Sequence, residues 1–487
     1  MKKALLSLLI VLSMLISSFA FVGCSDEDNA DQNVGTGEHT HAFVDGECEC
    51  GAIKYTAELN GASLENYKIV YSEDSDYALR AAEYIKKSAT DRIGASLTLC
   101  KESEDNGEGR AILVGETGRA LSESLRAECN GVEFAIGSDG ADIALEGEAF
   151  VIAAAAYYFV SEYIPAGRDS ESEFIGEAVL EPIKKEAKNF ILMIGDGMGE
   201  MHTKMYDYLE YTEAGAAISD GEDQFYGYML PYFGYSVTNS LSGVTDSAAA
   251  ATAMATGYKT YNRYLGLDGD KAIRKSLTEL AVELSMGAAI FTTDTLTGAT
   301  PSGFTVHVED RGNSDEIRTQ QAALTAAHGV VIDGTYQQYS KNILKVIERE
   351  FCEALDKVAD EDGIFVMYEE AHIDKACSSL NIDNAFLSVI RFNQLIGRAM
   401  EFAFYNPETM VIITADHETG DLSVDESGKL VIKTEEHTGK NVPIFAYGVG
   451  AEVFDGAVME NVNIPMIIAE LWGVSDFGDP NMRPSAE

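Results

Sequence analysis

Basic residues are scarce in this chain. Its 487 residues include 35 Lys and Arg against 80 Asp and Glu, a formal net charge of −45. Phosphate backbones are gripped by basic patches, so this balance argues against nucleic acid as a partner. Cysteine is sparse too, and Cys24, Cys48, Cys50, Cys100, Cys129, Cys352 and Cys377 show no disulfide framework. After the first 24 residues no apolar run is long enough to span a bilayer; the stretch 151–160 is too short. A nucleotide fingerprint is also missing. Gly195-Asp196-Gly197-Met198-Gly199 follows an apolar run, but it lacks the dinucleotide-binding spacing and has no P-loop lysine. What is present is 46% apolar residues and 44 glycines, which fits a globular α/β protein of two or three domains. Most of the acid surplus reads as solvated surface, and part as carboxylates awaiting cations.

Residues 1–24 read as a targeting segment: Lys2 and Lys3, a mostly apolar run, then Phe21-Val22-Gly23-Cys24. The ending resembles a bacterial lipoprotein signal, with Phe21 where leucine is usual. That resemblance implies an exported protein held at the cell surface by a lipid on Cys24. An ordinary secretory signal, giving a secreted or periplasmic protein, and an uncleaved anchor are the alternatives. Residues 25–38 are an acidic tether. His39, His41, Cys48 and Cys50 follow and could form a small structural zinc site, although C-x-C is tighter than the usual spacing; a plain flexible segment is the other reading.

Residues 55–183 read as a separate α/β unit. Strands are expected at 67–71 and 111–114, and a hairpin pairs 134–136 with 141–145. Helices are expected at 76–90, with Leu79, Ala82, Tyr84 and Ile85 inward, and at 150–163. This order resembles the small accessory domain ahead of catalytic domains in many bacterial glycoside hydrolases. It carries no catalytic group and reads as a spacing or docking unit. A polar linker, 182–188, follows.

From 189 onward apolar strands repeatedly end in carboxylates or imidazoles. The run 189–194 leads to Asp196; 288–293 leads to Thr300, His307 and Arg311. The run 364–368 leads to Glu369, His372 and Asp374, and 410–414 leads to Asp416 and His417. His437 precedes a last strand at 443–447. In parallel α/β sheets sites form at such carboxyl ends. Unpaired acids converging there would repel one another, and divalent cations would resolve the repulsion. Mixed nitrogen and oxygen ligands suit zinc; an all-oxygen set suits magnesium. The stretch 244–260, with Asp246, Ser247 and then Ala248 to Ala251, reads as a helix whose first turn holds Asp246 and Ser247. A serine there faces free N–H groups and the positive end of the helix dipole, a setting for an oxyanion and a phosphate, although an ordinary cap is the commoner role.

These motifs, N-F-I-L-M-I-G-D-G-M-G, V-T-D-S-A-A-A-A-T-A-M-A-T-G-Y-K-T, A-T-P followed by H-V-E-D-R, E-E-A-H-I-D-K, T-A-D-H-E-T-G and E-H-T-G, resemble those of the alkaline phosphatase family over residues 189–450. The resemblance implies a mostly parallel sheet sandwiched by helices, two zinc ions and one magnesium, and phosphate monoesters as substrates. It implies Ser247 as a nucleophile forming a phosphoserine, Arg311 as a bidentate phosphate clamp, and Asp246 as the residue that positions Arg311. Asp196, Asp416 and His417 would hold the zinc beside Ser247. Asp374 and His437 would hold the other zinc, and Asp196, Thr300 and Glu369 the magnesium. It points weakly to a homodimer. Two positions depart from the pattern. Ser378 stands where the family has a histidine, with His372 and Cys377 the nearby candidates to replace it. Gly298 stands where some members carry an aspartate or histidine. Residues 213–231 read as a local lid. The competing readings are a diesterase, sulfatase or mutase of the same superfamily, against which Ser247 and Arg311 argue, and a degenerate phosphate-binding surface protein, for which Ser378 argues.

Overall fold

The computed structural model describes residues 57–127, 129, 133–164, 174–177, 187–211, 224–334, 341–359 and 362–483, with two-residue strands at Phe43–Val44 and Glu47–Cys48. Cys24, His39, His41 and Cys50 lie outside the described residues, as does most of the 182–188 linker. Among the described residues no helix is long and apolar enough to cross a membrane.

The first unit is built on six strands. In chain order its elements are β1 (Tyr67–Tyr71), α1 (Asp76–Ile93), β2 (Thr98–Lys101), β3 (Arg110–Val114), α2 (Ala120–Arg126), β4 (Glu133–Ser138), β5 (Ile143–Gly147), α3 (Val151–Tyr163) and β6 (Phe174–Glu177). The sheet order is β6-β4-β5-β3-β1-β2. The expected hairpin is β4 against β5, antiparallel, while β5, β3, β1 and β2 run parallel. Helix α1 runs three residues beyond its expected end, to Gly94 in the left-handed conformation (φ 67°). It buries Ala78, Ala81, Ala82, Ile85, Ala89 and Ile93, and Leu79 and Tyr84 are only partly buried. Short elements β2, α2 and β6 escaped the sequence reading, since four to seven residues leave little periodicity to read.

The second unit is an eight-stranded sheet. Its strands are β7 (Asn189–Gly195), β8 (Tyr232–Val237), β9 (Gly287–Thr292), β10 (Val331–Gly334), β11 (Ile364–Glu370), β12 (Thr409–Thr414), β15 (Val442–Gly448) and β16 (Val458–Glu460); between β12 and β15 a two-stranded ribbon pairs β13 (Glu418–Thr419) with β14 (His437–Thr438). The order is β10-β9-β11-β7-β12-β15-β8-β16. Only β15 is antiparallel to both neighbours; the other pairs are parallel. Such a sheet, mostly parallel and covered by helices on both faces, explains why its strands read as unbroken apolar runs. The register aligns Thr292 with Glu369, Glu369 with Ile194 and Ile194 with Thr414, so four strands end together at one edge.

Helix α11 (Ile382–Tyr405) ties the two units together. Arg80 of α1 donates from Nε to Glu401 at 2.8 and 2.9 Å, Tyr84 stacks on Tyr405 at 4.3 Å, and Phe150 packs on Phe404 at 5.8 Å. Gly397 makes this approach possible, because a Cβ there would stand 2.0 Å from the Tyr77 hydroxyl. On its other side α11 buries Arg391, which pairs with the equally buried Glu370; its Nε donates at 2.5 Å. Burial alone would raise the Glu370 carboxyl, but Arg391 and His372 hold it down at about 2. The proposed 213–231 lid falls largely outside the described residues. Its described end, with Phe225 and Tyr226 buried and the Tyr226 N–H bonded to Asn393 at 2.6 Å, belongs to the core.

Two stability predictions follow from these buried charges. Arg391→Met strands Glu370 in an apolar setting and is expected to cost about 3–5 kcal/mol in urea unfolding. Adding Glu370→Gln should recover part of that loss; equal loss in the double variant would refute the pairing. In the first unit burial pushes Glu146 up to about 7, against the opposing hydrogen bond from Ser122 and the charge of Arg126. A carboxylate raised in the folded state binds its proton there first, so stability falls as pH rises from the ordinary glutamate value of 4.5 through 7. Glu146→Gln is expected to stabilise the protein by roughly 1–3 kcal/mol at pH 8 and not at all at pH 4. A melting temperature unchanged at pH 8 would contradict this.

Candidate metal and phosphate site

Helix α5 (Ser247–Thr256) starts at this sheet edge with all ten residues buried. Asp246 is not in its first turn but is its N-cap, with extended backbone (φ −99°, ψ 169°) and Oδ1 accepting from the Ala249 N–H at 3.0 Å. The alanines suit close packing: a Cβ on Gly303 of the short helix α7 (Ala299–Gly303) would meet Ala251 Cβ at 2.7 Å. That contact brings Thr300 to the site. Asp246 has a second task, since its Oδ2 accepts from Arg311 Nη1 at 3.2 Å and its carboxylate accepts from the Arg263 N–H. One carboxylate therefore caps the serine helix and aims the guanidinium.

Ser247 Oγ lies 3.3 Å from His417 Nε2, and both residues are buried. The same imidazole nitrogen is 3.2 Å from Asp416 Oδ2 and 3.5 Å from Asp196 Oδ1. On the other side the His417 ring stacks on His437, with centroids 3.6 Å apart. His437 is fixed by the Thr245 carbonyl at 2.9 Å and faces Asp374 Oδ1 at 3.4 Å. Two triads each have their ligand atoms within 4.8 Å of one another: Asp196, Asp416 and His417, and Asp374, His417 and His437. The Asp196 turn is held by backbone bonds to Glu370 and Asp374, at 3.0 and 2.9 Å. Gly197 is needed there: its φ is +78°, and a Cβ would meet Asp374 and Thr419 at 2.9 Å.

The electrostatics describe a hole for positive charge. Burial pushes Asp196 well up, and Asp416, Asp374 and Glu369 push it further. Burial and then Asp294 raise Glu369 to about 7, while the hydroxyls of Thr292 and Thr300 work the other way. Asp374 would also be raised by burial, but His437, His417 and Thr419 bring it well below the carboxylate range. His437 ends near 9, because Asp374 and the Thr245 carbonyl outweigh its burial. Asp196 Oδ1, Asp416 Oδ2 and Thr300 Oγ1 are buried without a hydrogen bond of normal geometry. Orphaned oxygens of this kind beside imidazole nitrogens are the donor set of zinc; Asp196, Thr300 and Glu369 offer the all-oxygen set of magnesium.

Neither candidate replacement for an imidazole at Ser378 reaches the cluster. His372 turns the other way, with Nδ1 3.3 Å from Thr293 Oγ1 and 3.2 Å from Arg391 Nη2. Cys377 Sγ lies 3.2 Å from Nε2 of His202, whose Nδ1 accepts from the Gly199 N–H at 3.1 Å. Burial also raises the Cys377 thiol, which keeps it protonated. His307 is occupied elsewhere, at 3.0 Å from Glu279 and 2.9 Å from the Gly266 carbonyl. Sequence reasoning missed Thr419, whose hydroxyl donates to Asp374 Oδ1 at 2.6 Å and lies 3.2 Å from His417 Nδ1, orienting one residue of each triad. Its place two residues after His417, in the strand that directly follows that histidine, was the available signal. Arg391 was missed as well; a charge set between Val389-Ile390 and Phe392 was its signal.

The alkaline phosphatase profile matches residues 187–347 and 337–429 of this chain. Alkaline phosphatase 3 of Bacillus subtilis is 28% identical over 295 residues, which is 50% of this chain and 63% of that protein. Alkaline phosphatase 4 of the same organism is 28% identical over 301 residues, 50% of this chain and 64% of that one. The chain thus spans under two thirds of the length of these curated relatives. Among solved structures, the alkaline phosphatase from the Antarctic bacterium TAB5 superposes with a TM-score of 0.51 at 24% identity, over 61% of this chain and 99% of the other, which establishes the shared fold. Residues 187–429, which supply every candidate ligand except His437, belong to the alkaline phosphatase family.

Proposed function

We propose that this chain is a metal-dependent phosphate monoester hydrolase that works through a phosphoserine on Ser247. The observation that carries the reading is Ser247 Oγ on a buried helix start, 3.3 Å from His417 and beside Asp246, which holds Arg311 at 3.2 Å. Asp196, Asp416 and His417 fit one zinc; Asp374 and His437, with His417 stacked alongside, fit a second; Asp196, Thr300 and Glu369 fit magnesium. Bound there, divalent cations supply Lewis acidity and make a serine hydroxyl nucleophilic near neutral pH.

The chain's own residues do the rest. Arg311 offers a planar fork to two phosphate oxygens, and Asp246 keeps that fork turned towards Ser247. The first turn of α5 presents N–H groups and the positive end of its dipole to the phosphoryl group. Ser247 Oγ gives its proton to solvent and forms the new P–O bond as the ester P–O bond breaks, and the leaving alkoxide takes a proton from solvent. Water then cleaves the phosphoserine and releases inorganic phosphate. Binding spent on the phosphoryl group leaves the alcohol loosely specified, so a broad set of monoesters is expected.

Ser378 supports a second reading, in which a ligand set short of one imidazole binds phosphate without turning it over. A single assay separates the two. Hydrolysis of 4-nitrophenyl phosphate between pH 7 and 10 should require zinc and magnesium, stop with chelator, and fall by several orders of magnitude in Ser247→Ala. Folded, metal-loaded protein that binds phosphate but shows no turnover would replace the enzyme by the binding protein. A diesterase would instead prefer bis(4-nitrophenyl) phosphate.

We also propose export and lipid anchoring at Cys24. Produced in a bacterium that acylates lipoproteins, the wild type should partition into the detergent phase and Cys24→Ser into the aqueous phase. Identical partition of the two would rule the anchor out.

A further inference from the structure

The proposed magnesium ligands Asp196, Thr300 and Glu369 have a cation of the chain's own beside them. Lys375, the residue after Asp374, places Nζ 2.6 Å from Asp294 Oδ1. Its charge is also felt by Glu369 and Asp196. Asp294 lies just past β9, where its N–H donates to Thr292 Oγ1 at 2.8 Å. That hydroxyl donates in turn to Glu369, so one threonine links the backbone of Asp294 to a proposed ligand.

The room for the Asp294 carboxylate is made at residue 298. A Cβ on Gly298 would stand 2.5 Å from Asp294 Oδ2 and 3.0 Å from its Cγ. Gly298 itself has φ −57° and ψ 160°, which any residue can adopt. Glycine is therefore not required here by φ and ψ, although a Cβ would also stand 3.0 Å from the Thr295 carbonyl oxygen. A side chain at 298 and the Asp294 carboxylate would occupy the same volume, and in this chain the carboxylate has it.

We propose that Asp294 is a positioning residue for the third cation site and that it acts through Lys375. By holding the ammonium group on its own carboxylate, Asp294 keeps Lys375 off Glu369 and Asp196 and leaves their oxygens to a divalent cation. Without Asp294, this partly buried ammonium still feels the charges of Glu369 and Asp196, and Lys375 becomes a competitor of magnesium. The inference rests on the reading of Asp196, Thr300 and Glu369 as a magnesium site.

The test is magnesium affinity, read by titration calorimetry on the purified zinc-loaded protein, with a melting curve for each variant. Asp294→Asn is expected to weaken magnesium binding about tenfold in the wild-type background and to change it little in a Lys375→Met background. Gly298→Asp alone should disturb the site by collision with Asp294, whereas Asp294→Ala combined with Gly298→Asp puts a carboxylate back into the vacated volume and should restore most of the affinity. Unchanged affinity in Asp294→Asn overturns the proposal. So does an equal loss in both backgrounds, which would make Asp294 a remote charge independent of Lys375. Magnesium binding that is absent from the wild type, or that survives Glu369→Gln unchanged, removes the underlying site instead, and that failure is recognisable because it needs no change at Asp294.

Discussion

Four carboxylates, Asp196, Glu369, Asp374 and Asp416, meet at the end of one sheet, and their mutual repulsion is the constraint to which the rest of the second unit answers. Burial disfavours the charged form of Asp196, and the proximity of Asp416, Asp374 and Glu369 adds to it. An arrangement this costly persists only where the surrounding fold over-determines it. Here three parallel strands supply the acids from adjacent tips, and none can retreat without breaking ladder bonds on both sides.

The supports are arranged in shells around that charge. The Asp196 turn is nailed to Glu370 and Asp374 by backbone bonds, and Thr419 orients His417 and Asp374 together. Behind them the buried Arg391–Glu370 pair satisfies a carboxylate that points away from the site, so that of two consecutive glutamates one is neutralised inside the core and the other is left for the cluster. The alternation of side chains along a strand makes this division of labour automatic. Asp246 serves both the cap of α5 and Arg311, coupling the serine helix to the phosphate clamp through a single carboxylate.

Helix α11 connects this machinery to the first unit. One face carries Arg391 to the site's foundation and another meets α1 and α3 through Arg80, Tyr84 and Phe150. The two sheets are separate, yet buried residues of both belong to one apolar cluster. The first unit therefore packs on the helix that backs the site, although it contributes no side chain to the triads.

Much of this was legible in the chain. Apolar runs ending in Asp196, Glu369 and Asp416 announced buried parallel strands with ligands at their tips, because a strand buried on both faces has no polar alternation and its end is where chemistry can begin. The alanine run after Ser247 announced a helix that packs closely. Other features depended on residues distant in sequence and were decided only by the tertiary structure. The turning of His372 towards Arg391 and the meeting of Cys377 with His202 each follow from where a neighbouring element sits. So does the pairing of Lys375 with Asp294, whose carboxylate fills the volume that a side chain at Gly298 would take. Sequence determines which groups are available and how often they recur along an element; direction and distance between elements are set by packing, and it is packing that chose which of the available acids and imidazoles share one site.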